Sequence, residues 1–177
     1  MKNLFNLIGF QVCWWLCILG VRFQFPFLGP VCMVVFLLIH CFGFRVEKSE
    51  LKLILLVSLI GTLIDSMLAY SGIVEYEGTY SSLEWLAPLW ITAMWAGFAS
   101  TVNHSLAWLK ERPFITITMG FIAGPVAYLT AEKFGAITMN GSAVMKNSLL
   151  AIIWGSSVRA IFIFNKRLRI SSNTLEE

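Results

Sequence analysis

The sequence predicts an all-α polytopic membrane helix bundle with about six transmembrane helices. Hydrophobic residues make up 58% of the 177 residues and charged residues 13%, whereas charged residues are about 25% of a typical soluble domain. Six apolar stretches approach or exceed the roughly 20 residues that cross a bilayer as a helix. No shift in composition marks a second domain, so residues 1–177 are predicted to form one integral membrane domain.

The predicted spans follow one another with short polar breaks. The first begins after Lys2 like a signal peptide, but no small-x-small cleavage site follows and Trp14 and Trp15 interrupt it, which favours a retained helix. Charged or turn-forming residues separate the other stretches, as at Arg112-Pro113. The six spans cover residues 4–20, 26–44, 51–74, 83–109, 114–131 and 143–164.

The distribution of basic residues predicts the orientation. With the N-terminus inside, the cytoplasmic segments hold nine Lys and Arg residues and the opposite side holds two or three. This bias, with an even number of spans, predicts that both termini are cytoplasmic. The outer loop from Glu75 to Glu84 has no basic residue, and Tyr76, Tyr80, Trp85 and Trp90 are predicted to form an interfacial aromatic belt.

Small residues recur at helical spacing and predict close helix packing. Stripes run through Gly61, Gly97 and the Gly120-x-x-x-Gly124 pair. Small residues let membrane helices approach closely, so the third, fourth and fifth helices are predicted to form the centre of the bundle. The four cysteines match no metal or haem pattern and are interpreted as small apolar residues.

Two ionisable residues inside the spans are the candidate catalytic groups, Asp65 and His104. Asp65 lies about 20 Å from the cytoplasmic charges, and His104 about 9 Å. Asp65 is either a ligand-binding or proton-exchanging carboxyl, or a structural one that bonds a neighbour such as Tyr128. His104 is either a base or headgroup contact, or an interhelical hydrogen-bonder. Their different depths argue against a direct Asp65–His104 dyad.

A layer of polar side chains in the cytoplasmic half is the candidate ligand-binding site. Arg159 has no acidic residue at its own depth, so it either extends toward the cytoplasm or binds an anionic headgroup. His40 lies near a helix end and is predicted to be closer to the interface. The candidate ligand-binding residues are Gln11, His40, Asn103, His104 and Arg159.

Two motifs carry a resemblance to a known family. Residues 103–109 read Asn-His-Ser-Leu-Ala-Trp-Leu, and residues 124–128 read Gly-Pro-Val-Ala-Tyr. With Arg112-Pro113 between them, they resemble a family of small bacterial multi-pass inner-membrane proteins of unknown function. The resemblance implies a bacterial inner-membrane location. It also favours a lipid-linked role, because such proteins often lie near genes for fatty-acyl modification, and it assigns no catalytic residue.

Three functions stay open. The first is a protein that binds a lipid or other amphiphile, or assists its modification, through a cytoplasm-facing polar pocket. The second is an intramembrane lipid-acting enzyme that uses His104 or Asp65. The third is a small proton-coupled transporter, for which a homodimer would supply the missing symmetry. The expected partners are membrane lipids and lipid-modifying proteins, not nucleic acid. No nucleotide-binding or metalloprotease motif is present, and no cofactor or metal is predicted.

Overall fold

The computed structural model describes residues 2–80 and 82–173, and in that part of the chain it contains six α-helices, as predicted for an all-α polytopic bundle. Four of them are long and apolar enough to cross a membrane, namely α1, α3, α5 and α6. The helices are α1 (Lys2–Arg22), α2 (Leu28–Phe44), α3 (Lys48–Tyr70), α4 (Leu89–Thr101), α5 (Pro113–Lys133) and α6 (Ala143–Asn173).

The fourth helix is much shorter than predicted. In place of a span over 83–109, α4 covers 13 residues, which is about 20 Å of helix. Pro88 precedes its first residue in an extended conformation. Its end at Thr101 is followed by turns through Asn103-His104-Ser105 and a 3-10 turn at Ala107–Leu109. Polar side chains in these turns bond to other helices, and this competes with continuation of the helix.

Helix α4 lies in the middle of the bundle, where it packs against α1, α2 and α3. Helix α5 packs mainly against α6, and α6 in turn packs against α3. The prediction that the third, fourth and fifth helices form the centre is therefore wrong for the fifth. The reason is that its glycine stripe faces α6: a side chain at Gly120 or Gly124 would meet Trp154. Helices α1 and α5 make little contact with each other.

A two-stranded antiparallel sheet closes one end of the bundle. Strand β1 (Val74–Tyr76) follows α3, and strand β2 (Ile137–Met139) follows α5, with Glu75 paired to Thr138. The sheet was not predicted, because strands of three residues are too short to show an alternating pattern. It fixes the residues after α3 over the end of the helix bundle and thereby positions Tyr76.

The start of α1 and the C-terminal part of α6 lie at the opposite end. Lys2 at the start of α1 lies over the ring of Phe44 at the end of α2. Arg169, near the end of α6, lies 3.9 Å from Glu47, which precedes α3. The start of α1 and the C-terminal part of α6 are therefore on the same side of the bundle.

Candidate functional site

The carboxyl group of Asp65 is the centre of a buried hydrogen-bond cluster at the sheet end of α3. Its side chain is 1% exposed. The indole N–H of Trp95 donates to Oδ2 at 2.6 Å, and the Tyr76 hydroxyl donates to Oδ1 at 2.5 Å. The hydroxyl of Tyr128 also donates to Oδ1. Three different elements, β1, α4 and α5, thus each direct one donor at the same carboxyl group.

Tyr76 has a different place from the predicted one. The sequence suggests an interfacial aromatic side chain, whereas the structure buries Tyr76 against Asp65. Burial, together with the negative carboxyl beside it, raises the pKa of Tyr76 well above its usual range. The hydroxyl therefore keeps its proton and acts as a hydrogen-bond donor to the carboxyl. Trp90, also assigned to the belt, is buried as well, and its indole N–H donates to the backbone oxygen of Glu77 at 3.0 Å.

A cavity of about 70 Å³ adjoins the Asp65 carboxyl. Aromatic side chains form most of its wall, and Asp65 is the one charged residue among those that line it. The buried indole N–H of Trp154 has no hydrogen-bond partner in the described part of the chain. The aromatic residues around the cavity are Phe10, Trp14, Tyr76, Trp90, Trp95, Phe98, Tyr128 and Trp154.

A second, larger cavity of about 210 Å³ lies beside the first and nearer the other end of the bundle. The side chains of Phe10, Phe98 and Trp154 line both cavities. The second cavity is bordered by α1 at Leu7 and by α5 at Ala123, which are the two helices that make little contact with each other. We call the two cavities together the α1–α5 cleft. Of the residues predicted to bind ligand, Gln11 lines this cleft.

A second polar cluster surrounds Glu50, near the end of the bundle that holds the start of α1. Its Oε1 lies 3.0 Å from His40 Nε2 and 2.9 Å from His104 Nε2. The amide of Asn103 donates to Oε2 at 3.3 Å. His40 is fully buried rather than interfacial as predicted, because Glu50 supplies a buried acceptor for its ring. Sequence reasoning missed Glu50 and assigned it to the break between two spans.

Two histidines and a glutamate with their ligating atoms within 4.8 Å of one another form a set that suits Zn²⁺. The surroundings of His40 argue against that role. Asn6 accepts from the backbone N–H of Ser105 and donates to the backbone oxygen of Ser100, so its amide orientation is fixed. Its N–H also faces His40 Nδ1 at 3.5 Å. Nδ1 of neutral His40 therefore accepts a hydrogen bond, and the proton lies on Nε2. A metal would have to bind at Nε2, which that proton already occupies.

The structure brings together some of the predicted residues and separates others. Asn103, His104 and His40 share the Glu50 cluster. On α6 it is Asn165, not Arg159, that reaches this cluster, by donating to Asn103 Oδ1 at 2.8 Å. Arg159 is half-buried, and no ion pair joins it to an acidic residue in the described part of the chain.

The two candidate catalytic residues belong to different clusters. Asp65 is bonded at the sheet end, and His104 contacts Glu50. Glu50 and Asp65 are both on α3 and 15 positions apart, which corresponds to about 22 Å along the helix axis. These two buried carboxyl groups are therefore separate, one toward each end of the bundle.

This fold and these clusters define a polytopic membrane protein with a buried carboxyl group at one end of an apolar cleft. The chain belongs to the DUF2878 family, described as a protein of unknown function, whose model matches residues 3–159. This is consistent with the family resemblance inferred from the sequence.

Two curated relatives are similar over a shorter segment. The chain is 37% identical over 68 residues to mitochondrial import inner membrane translocase subunit Tim17-A of Mus musculus. It is 40% identical over 68 residues to the Tim17-B subunit of Homo sapiens. In both cases the segment covers 37% of this chain and 38% of the relative, so the chain spans well under half the length of these proteins. No solved structure shows significant similarity to the chain.

Proposed function

We propose that this membrane protein binds an amphiphile, with the apolar chain in the α1–α5 cleft and the polar end at Asp65. The observation that carries the proposal is the position of a buried carboxyl group at one end of a mostly apolar cleft. An amphiphile has the same division into an apolar chain and a polar end. This site replaces the cytoplasm-facing pocket around Arg159 as the proposed place of binding.

The dimensions of the cleft support a single lipid chain. On α1 its lining runs from Leu7 to Ile18, which is about 16 Å along the helix. That is about half of the roughly 30 Å hydrocarbon thickness of a bilayer. An acyl chain of one leaflet extends over the same distance, so the cleft can hold a chain that enters from the surrounding membrane between α1 and α5.

The unpaired Trp154 indole N–H supports a polar contact inside the cleft. A buried donor without an acceptor costs about 1–3 kcal/mol, and Trp154 borders both cavities. A hydroxyl or ester oxygen of a ligand that reached the indole would accept this hydrogen bond and relieve that cost.

Native mass spectrometry of the protein, extracted in a mild maltoside, tests the proposal. One bound lipid per chain is expected, and Ala123→Trp should abolish it, because the new indole would occupy the second cavity. Ile122→Trp is the matched control, since Ile122 is 61% exposed and does not line either cavity. Equal lipid retention by the two variants would contradict the proposal.

A second candidate function is acid–base catalysis on a lipid at His104. The observation that favours it is that His104 is held by buried Glu50 while its own side chain stays 19% exposed. A histidine oriented by a carboxylate can transfer a proton to or from a group at the surface of the site. Comparative lipid analysis of membranes containing the wild type or His104→Gln tests it: a product absent with the variant supports catalysis, and identical lipids exclude it.

We also propose a bacterial inner-membrane location with both termini in the cytoplasm. The excess of Lys and Arg at the end that holds the start of α1 and the C-terminal part of α6 supports the orientation. The names of the two partial relatives refer to an inner membrane, which supports the location.

A further inference from the structure

We infer that the polar end of the bound amphiphile is a primary amine, whose positive charge lies against Asp65 inside the aromatic cavity. The inference rests on the proposed function, since it assumes that the cleft holds the chain of the same molecule. It goes beyond that function by naming the chemical class of the ligand.

The neighbours of Asp65 can stabilise an ionised carboxylate. The indole N–H of Trp95 can only donate, and the hydroxyls of Tyr76 and Tyr128 lie within hydrogen-bond reach, where each can donate to a carboxylate. Three neutral donors solvate such an anion but leave its charge uncompensated, so the buried carboxyl is favoured in its ionised form when a cation lies beside it.

In the described part of the chain, no basic side chain supplies the missing positive charge. Among the residues that the structure describes, no ion pair includes Asp65, and the Asp65 cavity is lined by no Lys, Arg or His. Uncompensated charges are costly away from water, and buried carboxylates normally have a cation or metal beside them. The cavity next to Asp65 gives a ligand cation a place to approach the carboxyl group.

The cavity wall also favours a cation. Most of its lining is aromatic, including four tryptophans, and the faces of such rings attract alkylammonium groups. Trp95 and Trp154 stack with ring centroids 4.6 Å apart, and both side chains line the cavity. An anionic headgroup would be repelled by the Asp65 carboxylate, and a neutral headgroup would lack the attraction between a cation and these ring faces.

Hydrogen bonding to Asp65 selects among amines. A primary ammonium group has N–H groups that can donate to the carboxylate, whereas a trimethylammonium group has none. A primary amine could belong to a free long-chain amine or to an ethanolamine headgroup, and both have the same recognition chemistry.

Thermal unfolding in an uncharged maltoside tests the inference with three twelve-carbon probes: dodecylamine, dodecanol and dodecyltrimethylammonium. Dodecylamine should raise Tm at a mole fraction at least about tenfold lower than either other probe, because a ligand that binds the folded state stabilises it in proportion to its affinity. Equal effects of amine and alcohol would overturn the amine assignment and leave the cleft intact. No effect of any probe would argue against the cleft itself.

Two variants and two lipids complete the test. Asp65→Asn should remove the preference for amine over alcohol, whereas Glu84→Gln, at an exposed position, should keep it. The wild-type comparison of the three probes stands even if Asp65→Asn does not fold. A preference for lysophosphatidylethanolamine over lysophosphatidylcholine would identify the amine as a lipid headgroup. Preference for dodecylamine alone would identify a free long-chain amine.

Discussion

The hydroxyl group of Tyr76 donates a hydrogen bond to Asp65 at 2.5 Å and thereby joins strand β1 to helix α3 across the closed end of the bundle. The two residues are 11 positions apart. The pairing of β1 with β2 holds the chain after α3 so that Tyr76 lies beside Asp65. The small sheet is therefore part of the site and not only a connection between helices.

Tyr76→Phe should lower the stability of the protein by about 1–3 kcal/mol, because it removes one of the hydrogen bonds to the buried Asp65 carboxyl group. Thermal unfolding of the purified protein in maltoside measures the loss. Tyr80→Phe is the control, since Tyr80 is 38% exposed. An equal Tm for the two variants would show that the Tyr76 hydrogen bond contributes nothing to stability.

Gly124→Ala should destabilise the contact between α5 and α6. A side chain at Gly124 would overlap the side chain of Trp154, whereas one at Gly43 meets no atom within 4 Å. We expect a loss of about 1–3 kcal/mol for Gly124→Ala from overpacking, and no loss for Gly43→Ala, since alanine favours a helix. The yield of folded protein and its Tm distinguish them. If both variants behave like the wild type, this result would contradict the close contact between α5 and α6 at Gly124.

Glu50→Gln should disturb the second polar cluster. The change replaces a buried acceptor of two histidine N–H groups by an amide that also carries donors, so we expect a cost of about 1–3 kcal/mol. Glu47→Gln should be nearly neutral, because Glu47 is 65% exposed and its contact with Arg169 is 3.9 Å long. Chemical unfolding in detergent compares the two, and a neutral Glu50→Gln would exclude a structural role for the cluster.

Reporter fusions test the orientation. With both termini cytoplasmic, an alkaline phosphatase fused after residue 177 should be inactive, and one inserted at Tyr80 should be active, because phosphatase folds outside the cytoplasm. A fluorescent protein at the same two positions should give the opposite result. An active phosphatase at the C-terminus would contradict the orientation inferred from Lys and Arg.

The apolar periodicity of the sequence predicts the helices, but it predicts the polar clusters only in part. Asp65 stands out because a carboxyl group in the middle of an apolar stretch is rare. Glu50 does not, because Lys48 and Lys52 beside it give the appearance of a loop. The buried stripe through Ser58 does continue back to Glu50 at helical spacing, so extending that stripe toward the helix start would have found it.

The remaining contacts of the site come from long-range packing. Tyr76 reaches Asp65 because β1 pairs with β2, about 60 residues later in the chain, and no local pattern indicates that pairing. Asn6 is similar: its partner Ser105 is 99 positions away, in turns that follow a helix predicted to be longer. Both residues also lie at the ends of apolar stretches, where polar side chains are common and attract no attention.

Photo-crosslinking with a diazirine-bearing twelve-carbon amine tests the central claim most directly. After irradiation of the protein in membranes, peptide mass spectrometry locates the modified residues. The α1–α5 cleft predicts that labels concentrate on residues that line it, such as Leu7 and Ala123, and that unlabelled dodecylamine competes them away. Labels spread evenly over lipid-facing residues such as Ile122 and Leu55, without competition, would contradict the account.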